Sequence, residues 1–273
     1  MVPPSEDEIA ANELSPSEDQ IELWLSILLK RLKMNEGNPL GDEIEVSKEV
    51  LLTNPSRAFS RLVIEALAKA NKLNTRIDRE LLLGRAAAEG KLEFANLLLA
   101  HGAKTEAIDA FGRTPLMCAA SEGNAELFDL LINNNAQTQV IDTKGRTLLM
   151  RAAMGGNPEI IIRFLLNSRP KPKLDTTENN GMTALMYAAQ SRKEGSFEVL
   201  NLIIEEGADL NIVDNQQKNA LSYALESWND ERENKLAPVV LLLSHNATLS
   251  VNDARKYETK LLAYAYRCLD EQQ

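Results

Sequence analysis

Gly112-Arg113-Thr114-Pro115-Leu116-Met117-Cys118-Ala119-Ala120 is the stretch that decides the fold, because it comes back. Gly145-Arg146-Thr147-Leu148-Leu149-Met150-Arg151-Ala152-Ala153 lies 33 residues further on. Gly181-Met182-Thr183-Ala184-Leu185-Met186-Tyr187-Ala188-Ala189 lies 36 beyond that. After another 36 comes a weaker copy, Gln217-Lys218-Asn219-Ala220-Leu221-Ser222-Tyr223-Ala224-Leu225. Self-similarity at such a period marks stacked supersecondary units, each too small to bury its own apolar face.

Two further marks keep step. Gly90, Gly123 and Gly156 each follow a short Ala-rich run and are spaced by 33 residues. Gly102-Ala103, Asn135-Ala136, Gly207-Ala208 and Asn246-Ala247 each end a Leu/Ile-rich run. Gly and Asn tolerate the left-handed backbone that closes a helix. Thr114, Thr147 and Thr183 stand where a helix N-cap belongs, and Pro115 occupies the first helical position, where a missing N–H costs nothing. The paired alanines allow close helix approach. Leu97-Leu98-Leu99, Leu130-Leu131-Ile132 and Leu202-Ile203-Ile204 supply a buried outer layer, each such side chain contributing roughly 1.5–3 kcal/mol on burial.

These residues resemble the ankyrin family, with its period of about 33 residues and Thr-Pro-Leu-His-x-Ala signature. The resemblance covers about 79–250. It implies a mainly all-α solenoid of about five helix-turn-helix units, each preceded by a short β-hairpin finger. Met117, Met150 and Met186 stand where the family has His, which removes a hydrogen bond usual in the family and places an adaptable apolar side chain there. Extra residues fall around Ile162-Arg163, at Pro170-Lys171-Pro172, at Arg192-Lys193-Glu194 and from Asn229 to Asn234.

A solenoid needs capped ends. In the first unit Asp78-Arg79-Glu80-Leu81-Leu82-Leu83 replaces the Gly-x-Thr-Pro-Leu start. Residues 18–78 read as a helical N-terminal cap or subdomain. One helix is opened by Ser17 and carries Ile21, Trp24, Leu25, Leu28 and Leu32; the second is opened by Asn54-Pro55 and carries Phe59, Leu62, Val63, Ala66, Leu67 and Ala70. Residues 1–17 read as a disordered acidic tail, and 251–273 as a C-terminal capping helix starting at Ser250 or Asn252.

The whole chain sets limits. Its 273 residues are 44% hydrophobic, 26% charged and 5% aromatic, a composition suited to a soluble helical core. A net charge of -10 disfavours nucleic acid as a partner, since phosphate neutralisation needs clustered Lys and Arg. Cys118 and Cys268 lie in no metal-ligand spacing, so neither zinc nor a disulfide framework is expected. The acidic start lacks the pattern of a secretory signal, and Ile21–Leu29 is too short and too interrupted to span a bilayer. A cytoplasmic monomer without cofactor or metal is the expectation. Trp24 with Lys30, Arg31 and Lys33 admits an amphipathic membrane helix, but bases at a helix end complement its dipole, and a capping helix with no membrane partner is the expectation.

The resemblance implies that a protein partner docks on the hairpin tips and the concave face of the first helices. The variable position before the paired alanines is Arg85, Cys118, Arg151, Tyr187 and Tyr223 in the five units, expected to form one stripe. Arg and Tyr are favoured in binding hot spots. Tyr187 and Tyr223 alternatively pack between repeats. At the tips, Phe111 stands out as apolar, flanked by Arg113, with Arg146 beside the next tip; Phe111 alternatively packs on a neighbouring finger. Cys118 alternatively serves as a small filler. Asn211 matches an asparagine that family members can have hydroxylated, or simply bonds within its hairpin.

A protein-interaction scaffold or adaptor is the function these features imply. An enzyme seated in the N-terminal segment is the contrasting reading, and no His, Cys or phosphate-cradling Gly loop precedes His101 to support it. A third reading keeps the binding role but moves it into a host cell, as an effector of a host-associated bacterium. Ankyrin arrays are frequent among such proteins, and a chain rich in Asn, Lys, Ile and Glu is compatible with an AT-rich genome.

Overall fold

The computed structural model describes residues 76–77, 80–168, 171–227, 236–249 and 253–257. The acidic tail 1–17, the N-terminal cap apart from two residues, the Asn229–Asn234 insertion and most of the expected C-terminal helix lie outside the described residues.

A two-stranded antiparallel hairpin, β1 (Arg76–Ile77) and β2 (Glu80–Leu81), leads into five helix pairs. These are α1 (Leu82–Glu89) with α2 (Leu92–Ala100), α3 (Pro115–Glu122) with α4 (Ala125–Asn133), and α5 (Leu148–Gly155) with α6 (Pro158–Asn167). The last two pairs are α7 (Ala184–Gln190) with α8 (Ser196–Glu205), and α9 (Ala220–Ser227) with α10 (Ala237–Ser244). Each first helix packs on the first helices of its neighbours, and second helices form a parallel layer behind them. Residues 253–257 are helical, with Asp253 and Tyr257 buried and Lys256 exposed.

The caps follow the repeated motif. The hydroxyls of Thr114, Thr147 and Thr183 accept from the backbone N–H of Met117, Met150 and Met186, each at 3.3 Å. Asn219 does the same for Ser222 N–H at 3.0 Å in the fifth unit. The three methionines are buried at 1% exposure. Of these, Met150 and Met186 bring sulfur to 3.5 Å from the N–H of Thr147 and Thr183, so the thioether covers the donor while filling the core.

The outer layer is shallower than the sequence implies. Leu98, Leu131, Ile203 and Ile204 are buried, whereas Leu97, Leu99, Leu130, Ile132 and Leu202 are partly buried against the core. A helix that packs on one side buries one stripe only, so three consecutive residues cannot all point inward. The extra residue around Ile162-Arg163 lengthens α6 to 10 residues. Arg192-Lys193-Glu194 lengthen the turn between α7 and α8, from which Lys193 Nζ reaches back 3.0 Å to the Ser121 carbonyl at the end of α3. Asn124 and Asn157 also sew units together, donating to the Ala87 and Ala88 carbonyls and to the Gly123 carbonyl.

Beyond the first hairpin the fingers are turns more than strands. One isolated bridge, Ile141 to Thr147, is the remaining β pairing among the described residues. Adjacent fingers are tied at their tips: Thr143 N–H donates to the Phe111 carbonyl, Asn179 N–H to Lys144, and Asn215 N–H to Asn180, at 2.9–3.0 Å.

Candidate partner-binding face

An unpaired turn needs something to hold it, and each finger solves this with one acid. Asp109, Asp142, Glu178 and Asp214 keep the repeat period and are 3–5% exposed. Asp109 Oδ1 accepts from the N–H of Phe111 and Arg113 at 2.8 Å. Asp142 Oδ1 accepts from Lys144 and Arg146, Glu178 Oε1 from Asn180 and Met182, and Asp214 Oδ1 from Gln216 and Lys218. One carboxylate oxygen thus ties down two turn N–H groups, as an Asx-type turn does. The second oxygen is left for a side chain.

In the third unit that oxygen takes two arginines. Asp142 Oδ2 lies 2.8 Å from Arg146 Nε and 2.5 Å from Arg151 Nη2. Burial pushes the Asp142 carboxyl up, but the hydrogen bonds from the Arg146 backbone and from the Arg146 and Arg151 side chains outweigh it, and its pKa lies below the ordinary value. In the fifth unit Tyr223 donates its hydroxyl to Asp214 Oδ2 at 2.5 Å. Burial first, then this bond to a carboxylate, raises the phenol well above its usual value. In the second unit Arg113 Nε takes Asp109 Oδ2 at 2.6 Å. In the fourth, Glu178 Oε2 is buried with no hydrogen-bond partner.

These contacts correct the predicted stripe. Arg151 and Tyr223 are each only 5% exposed, and Cys118 only 4%. The variable position lies nine residues after the finger acid. A side chain long enough to reach that acid is drawn inward, and a thiol is small enough to pack away. Neither outcome leaves a surface for a partner. Tyr223 takes the packed alternative. Arg85 stays partly exposed, bonded to Glu89 at 2.7 Å. Tyr187 is half-buried; burial and then the Glu178 charge raise its phenol, while Arg146 beside it pulls the other way. Arg113 and Arg146 keep part of their surface while pairing with the finger acids.

Phe111 is 47% exposed at its tip, with the Arg113 guanidinium 5.2 Å from the ring centroid. Its carbonyl accepts from the N–H and hydroxyl of Thr143 in the next finger while about half of the side chain stays exposed. Asn211 bonds both ways: its N–H donates locally to Asp209 Oδ1 at 2.8 Å, and its Oδ1 accepts from the N–H and hydroxyl of Thr248 in the next turn.

The sequence reading does not single out the residues directly before the finger acids. Ile108, Ile141 and Val213 are 47%, 59% and 45% exposed, and Thr177 fills the same place in the fourth unit, also exposed. Their period was the available signal.

The geometry defines a class: a helical-repeat solenoid whose turns are fastened by buried acids and whose finger tips carry exposed apolar and basic side chains. Family matching finds ankyrin repeats (3 copies) at residues 53–142, 123–214 and 162–254, and the chain belongs to the ankyrin-repeat family. The first match begins ahead of the marks at residue 79. A comparison with curated proteins gives no match. Ankyrin repeats are generally protein-interaction modules, and proteins built from them are typically non-catalytic. Among the described residues, no helix is long and apolar enough to cross a membrane, and no His, Cys, Asp and Glu cluster is arranged to hold a metal ion.

Proposed function

We propose that this protein is a non-catalytic scaffold or adaptor that binds a partner protein through its finger tips and the adjoining first helices. The observation that carries this reading is the inside-out sorting of the fingers. Every acid of the segments 108–113, 141–146, 177–182 and 213–218 is buried, while Ile108, Phe111, Ile141, Val213 and the bases are at least partly exposed. Exposed aliphatic residues in register on a rigid frame are a contact surface. The chain acts as a cytoplasmic monomer, with residues 18–78 and 251–273 closing the ends of the array. Arg85, Phe111, Arg113, Arg146 and Tyr187 remain the partner-contact residues among those the sequence nominates.

Affinity capture from the producing cell's lysate tests it, using the full chain, a Phe111→Ala/Tyr187→Ala variant and a Val240→Glu variant altered on α10. A partner retained by wild type and Val240→Glu, and lost by the finger variant, is the expected result. Capture that depends on Val240 alone would remove the reading. Delivery into a host cell is the second reading, motivated by the Asn, Lys, Ile and Glu bias of the sequence. It changes where the partner is met and leaves the binding mode as it is. A translocation assay in which the protein stays within its producer would sink it.

A further inference from the structure

Ile108, Ile141, Thr177 and Val213 form one row, each directly before a buried finger acid. β-branching suits the extended backbone of a finger, and that explains Thr as well as Ile. It does not explain why three of the four are aliphatic and 45–59% exposed. The exposed charge of the second and third fingers is basic. Arg113 and Arg146 are partly exposed and Lys144 is exposed, while Asp109 and Asp142 are buried and bonded to turn N–H groups. The basic stretch is confined to these two fingers, because Lys218 of the fifth is held by Glu226 at 2.9 Å and the acids Glu106 and Asp175 stand two residues before Ile108 and Thr177. Screening over about 8 Å at physiological salt makes the bases of these fingers, not the distant acids of a chain of net charge -10, decide what approaches them.

The row also has a pitch. Stacked helices lie about 8–10 Å apart, and the fingers keep that pitch because each is hydrogen-bonded to the next. A polyproline II segment has three residues per turn and rises about 3.1 Å per residue, so every third side chain faces one way at about 9 Å intervals. A β-strand advances about as far in three residues but turns the third side chain to the opposite face. We propose that the fingers bind an acidic partner segment in the polyproline II conformation, with an aliphatic side chain at every third residue and carboxylates between. The aliphatic side chains meet Ile108, Ile141 and Val213, and the carboxylates meet Lys144 and the outer edges of Arg113 and Arg146. This inference rests on the finger face being the partner surface.

A fluorescein-labelled peptide of four Ile-Pro-Glu units, titrated with the full chain and read by fluorescence anisotropy, tests it. Two control peptides accompany it, one with Lys in place of Glu and one of the same composition with the isoleucines at every second position. Saturable binding of the first peptide is expected, with both controls at least about tenfold weaker. Ile141→Glu and Lys144→Glu should each weaken it by at least about tenfold with an unchanged thermal melt, and Val240→Glu should leave it intact. Absence of saturable binding, equal binding of the Lys peptide, or an unchanged affinity in both finger variants overturns the proposal. If the peptide fails while lysate capture still depends on Phe111 and Tyr187, the occupant's chemistry is wrong and the docking face stands. Loss of both would remove the docking face as well.

Discussion

The third and fifth repeats treat the position before the paired alanines differently from the second and fourth. In the third and fifth, Arg151 and Tyr223 turn inward and bond the second carboxylate oxygen of their own finger acid. In the second, Cys118 is too short, and Arg113 from the finger itself takes Asp109 instead, with 21% of its side chain still in water. In the fourth, Glu178 Oε2 is buried unbonded and Tyr187 remains half-exposed. One frame position thus serves either the frame or the surface. It is buried where its side chain reaches the acid nine residues upstream or is small enough to pack away, as Cys118 is, and stays partly exposed where neither holds, as at Tyr187. The alternation also locates weakness: the fourth finger holds a buried oxygen without a donor, which costs about 1–3 kcal/mol or more for a charged group.

The largest effect should come from removing the acid in a closed repeat. Asp142→Ala strands Arg151 at 5% exposure without its counter-charge, a loss of about 3–5 kcal/mol. Asp109→Ala releases an arginine that water already reaches, so its loss should be nearer 1–2 kcal/mol, the cost of the turn hydrogen bonds. Urea unfolding of both variants measures the gap, and equal losses would mean that the buried arginine contributes nothing special. The same acid gives a pH signature. Its folded pKa lies below the unfolded value, so its contribution is present above the unfolded pKa and is lost as pH falls through the folded one. The stability lead of wild type over Asp142→Ala should therefore shrink in acid, below about pH 4.

Next in size is the phenol. Tyr223→Phe keeps the ring and leaves Asp214 Oδ2 buried without its 2.5 Å donor, a cost of about 1–3 kcal/mol. Tyr187→Phe removes a hydroxyl from a half-buried ring and should stay within about 0.5 kcal/mol. Thermal unfolding of the pair reads the difference directly. A matching loss in Tyr187→Phe would show that the fourth repeat is closed in the same way as the fifth.

The comparison can also be erased. Tyr187→Arg places in the fourth repeat the side chain that closes the third, within reach of Glu178 Oε2. The variant should gain about 1 kcal/mol, less than a full charged hydrogen bond because the arginine must itself be desolvated. A lower urea midpoint than wild type would mean that the longer Glu178 side chain cannot meet the arginine.

Backbone requirements were legible in the sequence and side-chain destinations were not. Thr114, Thr147 and Thr183 announce helix starts because few residues cap well. Gly112, Gly145 and Gly181 announce the finger turns because few residues tolerate positive φ. The helices and their order follow from these alone. Arg151 reads as exposed because a lone arginine in a sequence shows no partner, and nothing in the sequence marks Asp142 as that partner. Their pairing depends on a finger folding back over its own helix. The row of finger acids shares the period of the threonines, yet carboxylates repeat on surfaces as readily as in turns. Phe111 was legible because nothing in the frame asks for an aromatic there. Ile108 and Ile141 were not, because β-branched residues are ordinary in extended segments.

The smallest effect concerns the turn that departs from the others. Gln217 holds φ at 61°, where the second, third and fourth fingers use Gly112, Gly145 and Gly181 at 72°, 78° and 84°. An L-residue there costs roughly 1–2 kcal/mol, and Gly returns about 0.5–1 kcal/mol of that through its freer unfolded chain. Gln217→Gly should therefore stabilise by about 0.5–1 kcal/mol. The reverse change should not be symmetric. A Cβ at Gly112 would meet Thr143 N at 2.9 Å, at Gly145 it would meet Asn179 Oδ1 at 2.7 Å, and at Gly181 it would meet Asn215 N at 3.0 Å. Each of those contacts belongs to the following finger, so Gly181→Ala carries a steric cost on top of the strained φ. Among the described residues no further finger follows Gln217, so no contact of that kind opposes a side chain there. The glycine is thus demanded twice inside the array and once at its edge. Differential scanning calorimetry should find the loss in Gly181→Ala larger than the gain in Gln217→Gly, and equal magnitudes would mean that finger stacking adds nothing to the requirement for glycine.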